Sequence, residues 1–164
     1  MESLTIGQLK LNVDVSRRAA TNIIGAGGVI RDSSGDWIVN FAVNLGQCHI
    51  LEAKVWGLYF GLKLGVEKGI INLAIEMDVV VAVSLVQQIN SLQCHPLAAL
   101  VHSCCDLMRQ IGNCHLVHIY REKNCVTDCL ANGSYNLDLR ISLFYEAPVW
   151  VSSGLARPRL MRSV

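Results

Sequence analysis

Leu9, Leu11 and Val13 alternate with Lys10, Asn12 and Asp14, the period of a half-buried strand. Residues 1–7 ahead of it read as a flexible lead, and Val15–Asn22 (VSRRAATN) as a polar connection. Ile23–Asp32 predicts a second strand with Gly25-Ala26-Gly27-Gly28 in its middle. No GxGxxG or Walker spacing accompanies those glycines, so close packing of backbone or a bulge explains them better than a phosphate cradle. Asp32-Ser33-Ser34-Gly35-Asp36 has the composition of a turn. Trp37, Val39, Phe41, Val43 and Leu45 then resume the alternation, with Asn40 and Asn44 on the other face. A tight hairpin makes this third strand antiparallel to the second and completes a meander.

The period then changes. Leu51, Val55, Leu58, Leu62 and Val66 recur at three- and four-residue steps, which predicts a helix facing a sheet along that stripe. Gly57 and Gly61 each cost helix propensity of roughly 1 kcal/mol, so close approach of another element is the expected reason for them. Gly69 is a suitable stop. Leu73–Asp78 is a fourth strand, and Val79–Gln88 a helix despite its β-branched residues. His95-Pro96 opens another helix, with Pro96 in its first turn, running to Gly112. His115–Tyr120 is a fifth strand, and Asn124 caps a helix over Cys125–Asn132. The order is β-β-β-α-β-α-α-β-α. The connection from strand one to strand four is a crossover, so a parallel pair lies beside the antiparallel meander. The fold class is therefore α/β, with a five-stranded mixed sheet flanked by helices. The domain spans residues 8–137, and residues 138–164, where the pattern dissolves, form a loosely ordered tail.

Composition narrows this further. Of 164 residues, 52% are apolar and 16% charged, which excludes global disorder. No apolar run approaches the ~18–20 residues of a membrane span, and residues 1–20 lack the features of a signal peptide. The seven cysteines form no CxxC pair. Adjacent Cys94-His95 and Cys114-His115 direct their side chains apart, so reduced thiols fit better than zinc or a disulfide framework. Cytoplasm or nucleus is the compartment this suggests. A net charge of +1 leaves no global electrostatic footprint for nucleic acid, so any such binding rests on a local cluster.

Asp14 and Asp78 each end a strand, and Asp128 opens the last helix. On a parallel pair the first two lie side by side at one edge of the sheet, where the third can join them. Clustered carboxylates repel unless a cation binds them, and an oxygen-only set suits Mg²⁺ or Mn²⁺. Two such ions suit in-line phosphodiester hydrolysis. Taken singly, each aspartate reads better as a solvated carboxylate at an element end.

Their surroundings add to this. Leu11–Asp14, Gly25–Asp32 with Gly35-Asp36-Trp37, Ile50–Leu62 (ILEAKVWGLYFGL), Ile75–Asp78, His95-Pro96-Leu97 and Arg121–Asp128 (REKNCVTD) come in this order and spacing. Across about residues 8–134 the chain resembles the ribonuclease H family, specifically its plant retroelement-derived, reverse-transcriptase-like domains. The resemblance implies the ribonuclease H fold and cleavage of RNA in RNA–DNA hybrids by two Mg²⁺ ions on a D-E-D-D set. Asp14, Asp78 and Asp128 match its three aspartates as catalytic and metal-holding residues. Arg121 and Asn124 match motif positions beside the site and are candidates for contact with a hybrid or duplex.

The fourth carboxylate is missing. Where the family has a pattern like L-E-A-E-L-W-G, this chain has Leu51-Glu52-Ala53-Lys54-Val55-Trp56-Gly57, and Lys54 takes the glutamate position. Glu52 is two residues away, about 200° round the helix, and cannot serve the same site. A unit charge at ~4 Å and an effective dielectric of ~20 is worth roughly 4 kcal/mol, so an ammonium opposes binding of two dications. One ion or none is expected to remain. Glu76 shares a strand face with Asp78 but sits about 6.6–7 Å along it, too far to stand in directly. Val15 replaces a small glycine, Ser16–Ala20 replace a Gly/Pro-rich turn, and Thr127 replaces an alanine. Weakened hybrid cleavage is the expectation. An inactive domain that binds nucleic acid or protein remains open beside it.

Overall fold

The computed structural model describes residues 7–77, 80–87, 94–119, 125–137 and 141–145. Six strands, β1 (Leu9–Arg18), β2 (Ile23–Arg31), β3 (Trp37–Gly46), β4 (Asn72–Met77), β5 (Asn113–His118) and β6 (Ile141–Phe144), form one sheet in the order β5-β4-β1-β2-β3-β6. β1, β2, β3 and β6 pair antiparallel in turn, while β1–β4 and β4–β5 are parallel. The helices are α1 (Ile50–Glu67), α2 (Val80–Gln87), α3 (Ala98–Ile111) and α4 (Cys125–Gly133).

The mixed α/β sheet is as expected, with six strands rather than five. The added strand, Ile141-Ser142-Leu143-Phe144, is too short to show a period and takes its register from β3. Just beyond it, Lys68 Nζ at the end of α1 donates to Tyr145 Oη at 2.9 Å and lies over that ring. β1 runs four residues past Asp14, where a connection was expected. Its exposed end, Arg17 and Arg18, is held by ladder pairing with Ile24 and Ile23 rather than by burial. α3 starts at Ala98 rather than at Pro96. His95 shapes a turn ahead of it, accepting from Leu97 N at Nδ1 (3.1 Å) and from Ala98 N at its carbonyl (3.0 Å). β5 starts earlier than its apolar residues suggest, at Asn113, whose amide donates to Asn72 Oδ1 at 3.0 Å.

α1 packs on β1 and β2 through its glycines. A Cβ on Gly57 would lie 2.8 Å from Val13 Cγ1, and one on Gly61 would lie 2.7 Å from Leu11 Cδ2. The buried arc of α1 is therefore centred on Lys54, Gly61 and Gly65, about 60° round from the expected Leu51–Leu58–Leu62 stripe. Leu51 is only half-buried. The helix ends in a Schellman motif at Gly69 (φ +68°), with Ile70 N donating to Gly65 O and Gly69 N to Val66 O, both at 3.0 Å.

α4 packs on the opposite face, against the other parity of β2. A Cβ on Gly27 would lie 2.5 Å from Leu130 Cβ and 2.8 Å from Ala131 N, and one on Gly25 would meet Ser134 Oγ. The glycine-rich strand thus serves close packing. Gly27→Ala is expected to destabilise the fold by about 1–3 kcal/mol, read as a lower urea midpoint at unchanged m-value.

α3 covers α1 and α2. Cys104 Sγ approaches Val55 O and Cys105 Sγ approaches Val86 O, each at 3.8 Å. Burial pushes the Cys104 and Cys114 thiols up from 9.0 to about 12. In the unfolded chain these thiols lose their protons near 9, whereas in the folded chain they keep them to about 12. Between those values the unfolded state binds fewer protons, so their linkage makes stability fall with rising pH. Urea melts across that range are expected to show the fall, and Cys104→Ala with Cys114→Ala to flatten it.

Candidate functional site

The site begins where two parallel strands stop pairing. The β1–β4 ladder ends at Val13↔Met77, and the next residue of β1 is Asp14. β1 continues alone with β2, placing Asp14 opposite Gly27. The Asp14 carboxylate is fully buried and accepts from Val15 N at 2.8 Å.

Lys54 reaches this carboxylate from the first turns of α1. Its Nζ lies 3.7 Å from Asp14 Oδ1, and the two side chains are 8% and 0% exposed. The lysine head is therefore inside the protein rather than extended along the surface to water. Glu52 is half-buried elsewhere on the helix. Its charge falls on Cys48, whose thiol is pushed up first by burial and then by that carboxylate. Of the two charged residues at the start of α1, the cation is the one that faces Asp14.

Glu76 is committed to other partners. Its Oε2 accepts from Asn12 Nδ2 at 2.8 Å and its Oε1 pairs with Lys10 Nζ at 2.9 Å. Beyond Asp14, Ser16 Oγ donates to Asn132 Oδ1 at 2.6 Å and accepts from Tyr135 Oη, tying β1 to α4 and to the 3₁₀ turn Ser134–Asn136. Sequence reasoning missed both networks. Their signal was the polar parity of β1 itself, in Lys10, Asn12, Asp14 and Ser16, which alternates with Leu11, Val13 and Val15. Val15 points into the core on the opposite face from Asp14, paired with Ala26, so its bulk is absorbed by packing.

Asp78, Arg121 and Asn124 lie outside the described residues, and of Asp128 the structure describes the backbone, within α4. Among the described residues no three His, Cys, Asp or Glu side chains converge as a metal-binding group.

Comparison with known proteins shows what this arrangement descends from. The sequence pattern of the reverse transcriptase-like family matches residues 12–134. The chain belongs to the reverse transcriptase-like family. A "Putative ribonuclease H protein" of Arabidopsis thaliana is 35% identical to it over 164 residues, a match spanning 96% of this chain. The match spans only 26% of that relative, so the chain corresponds to about a quarter of it. Among solved structures, ribonuclease H1 from the archaeon Halobacterium salinarum superposes with a TM-score of 0.71 at 16% identity, over 79% of this chain and 98% of that one. LC11 ribonuclease H1 in complex with an RNA/DNA hybrid, an enzyme isolated from compost, gives 0.68 at 22% identity, over 77% and 96%. The foamy viral protease–reverse transcriptase in complex with an RNA/DNA hybrid gives 0.65 at 14%, over 84% of this chain and 21% of that one. This reverse transcriptase-like chain thus has the ribonuclease H-like fold. No described helix of it is long and apolar enough to cross a membrane.

Proposed function

We propose that this chain is a nucleic-acid-binding domain of the ribonuclease H type in which cleavage of RNA–DNA hybrids is weakened by Lys54. The observation that carries this is the buried Lys54–Asp14 pair. Family membership supports a site formed by Asp14, Asp78 and Asp128. Met77 is the last residue of β4 paired with β1, so the residue after the last rung is an aspartate in both chain segments, Asp14 and Asp78. Two of the structurally similar proteins are in complex with RNA/DNA hybrids, which supports a hybrid or duplex as the partner. Arg121 and Asn124 are the proposed backbone contacts, since phosphate contacts position a duplex without reading its sequence.

Carboxylate oxygens are the right donors for Mg²⁺ or Mn²⁺. The residues described do not fit a two-ion centre, however, because a buried ammonium lies 3.7 Å from the Asp14 carboxylate. A second reading, a domain that binds nucleic acid or a protein partner without cutting, is favoured by the same pair, and its protein-partner form also by the net charge of +1.

Two measurements test these readings. Affinity for a labelled RNA–DNA hybrid is expected to fall linearly in log–log form with rising salt, as phosphate contacts require. Cleavage of that hybrid in Mg²⁺ or Mn²⁺ is expected to be slow in the native chain and faster in Lys54→Glu. Absence of salt-dependent binding would leave the protein-interaction reading, and absence of cleavage by both chains would leave the non-cutting one.

A further inference from the structure

We propose that Lys54 is a tethered counter-cation, performing at Asp14 the charge balancing that a divalent ion would otherwise perform. The domain then folds, and engages nucleic acid, without metal. This rests on reading Asp14 as a member of the acidic site proposed above.

A fully buried carboxylate needs a compensating charge within the protein. Lys54 supplies one from inside, with its own head buried and 3.7 Å away. The placement is built into the packing. The buried arc of α1 is centred on Lys54, and Gly57 one turn on lets the helix sit directly against Val13 and Ala26. The helix therefore delivers Lys54, its fifth residue, to the point where β1 and β4 stop pairing. Glu76 does not compete for this ammonium, because both its oxygens are held by Asn12 and Lys10. A glutamate at position 54 would repel Asp14 and call for a cation from solution, whereas the lysine is that cation, fixed by the chain.

The test is thermal unfolding of the full chain in EDTA and in rising MgCl₂, with ionic strength held constant by KCl, for the native chain, Lys54→Met and Lys54→Glu. The native Tm is expected to ignore Mg²⁺. Both variants are expected to lose at least about 4 °C in EDTA and to recover it saturably with Mg²⁺, the mark of a ligand that binds only the folded state. A saturable rise of the native Tm equal to that of the variants overturns the proposal. A loss in Lys54→Met that Mg²⁺ does not restore also overturns it, since the lysine would then act through packing. If the single variants do not fold, Asp14→Asn/Lys54→Met is expected to fold and to ignore Mg²⁺, and its loss likewise counts against the proposal. Hybrid binding is measured beside these melts in EDTA and in Mg²⁺. Binding of equal strength in both supports the proposal, and binding that requires Mg²⁺ overturns it. Absence of binding in both overturns the nucleic-acid half of the proposal and the nucleic-acid reading above, while the melts still decide the role of Lys54.

Discussion

Lys54→Glu is expected to raise cleavage of a labelled RNA–DNA hybrid in Mg²⁺ or Mn²⁺ by about 10²–10³-fold over the native chain, the size of one preorganised electrostatic contact. The substitution exchanges an ammonium 3.7 Å from the Asp14 carboxylate for a fourth carboxylate on the same helix position. It reverses the sign of the charge that α1 presents and leaves the glycine-mediated seat of that helix unchanged. Glu52→Gln is the matched control, because that side chain sits beside Cys48 and its loss is expected to leave the rate alone. A native chain that already cleaves rapidly and gains nothing from Lys54→Glu contradicts the charge argument. If neither protein cleaves, the non-cutting domain is the correct reading. Attention would then move to Ser16–Ala20 rather than to Val15, whose side chain belongs to the core.

Lys54→Ala is expected to cost about 3–5 kcal/mol of stability in the absence of divalent ions, because removing one member of a buried ion pair takes that attraction from a charge that stays buried. Glu52→Ala, on the half-buried side of the same turn, is expected to change stability by no more than about 0.5 kcal/mol. Urea unfolding of both variants checks the contrast. Adding Asp14→Ala to Lys54→Ala is expected to cost well under the sum of the single losses, since the two side chains act as a unit. Additive losses would show that the pair is incidental to the packing around it.

The central strands were legible from their apolar content and the turn between them. β4 alternates buried with half-buried residues as its pattern predicts. β2 and β3 are buried on both faces and were marked by their apolar residues and the turn that joins them, and the parallel pair followed from strand order alone. Pattern failed where burial is not what holds the backbone. The end of β1 is polar and exposed and is kept extended by its ladder with β2, and β6 is four residues long and borrows its register. α1 misled in orientation rather than in existence. Apolar and aromatic residues surround it, so the expected stripe marked one side of the buried arc, where Val55, Leu58 and Leu62 are buried, and not its centre. Gly57 and Gly61 did mark it, because a helix turns toward a sheet the side on which it has least bulk. The same rotation carries Lys54 from the flank of the expected stripe to the middle of the buried arc. Motif spacing singled out Asp14 and Lys54, which the structure brings together, but it could not give the counterparts of Glu76. Its engagement by Asn12 and Lys10 depends on the register of β1 against β4, which a single strand pattern does not contain.

β6 has a further consequence for how this protein behaves among copies of itself. Without it, β3 would present ten residues of mostly apolar strand as an open border, with backbone groups ready to template another chain. β6 closes that border along Asn40–Val43 and offers in its place an outer rim of four residues, and Lys68 grips Tyr145 at its end. A neighbouring strand finds little length on which to add. The segment that looked least patterned in the chain thus shortens the edge that β3 would offer to another strand.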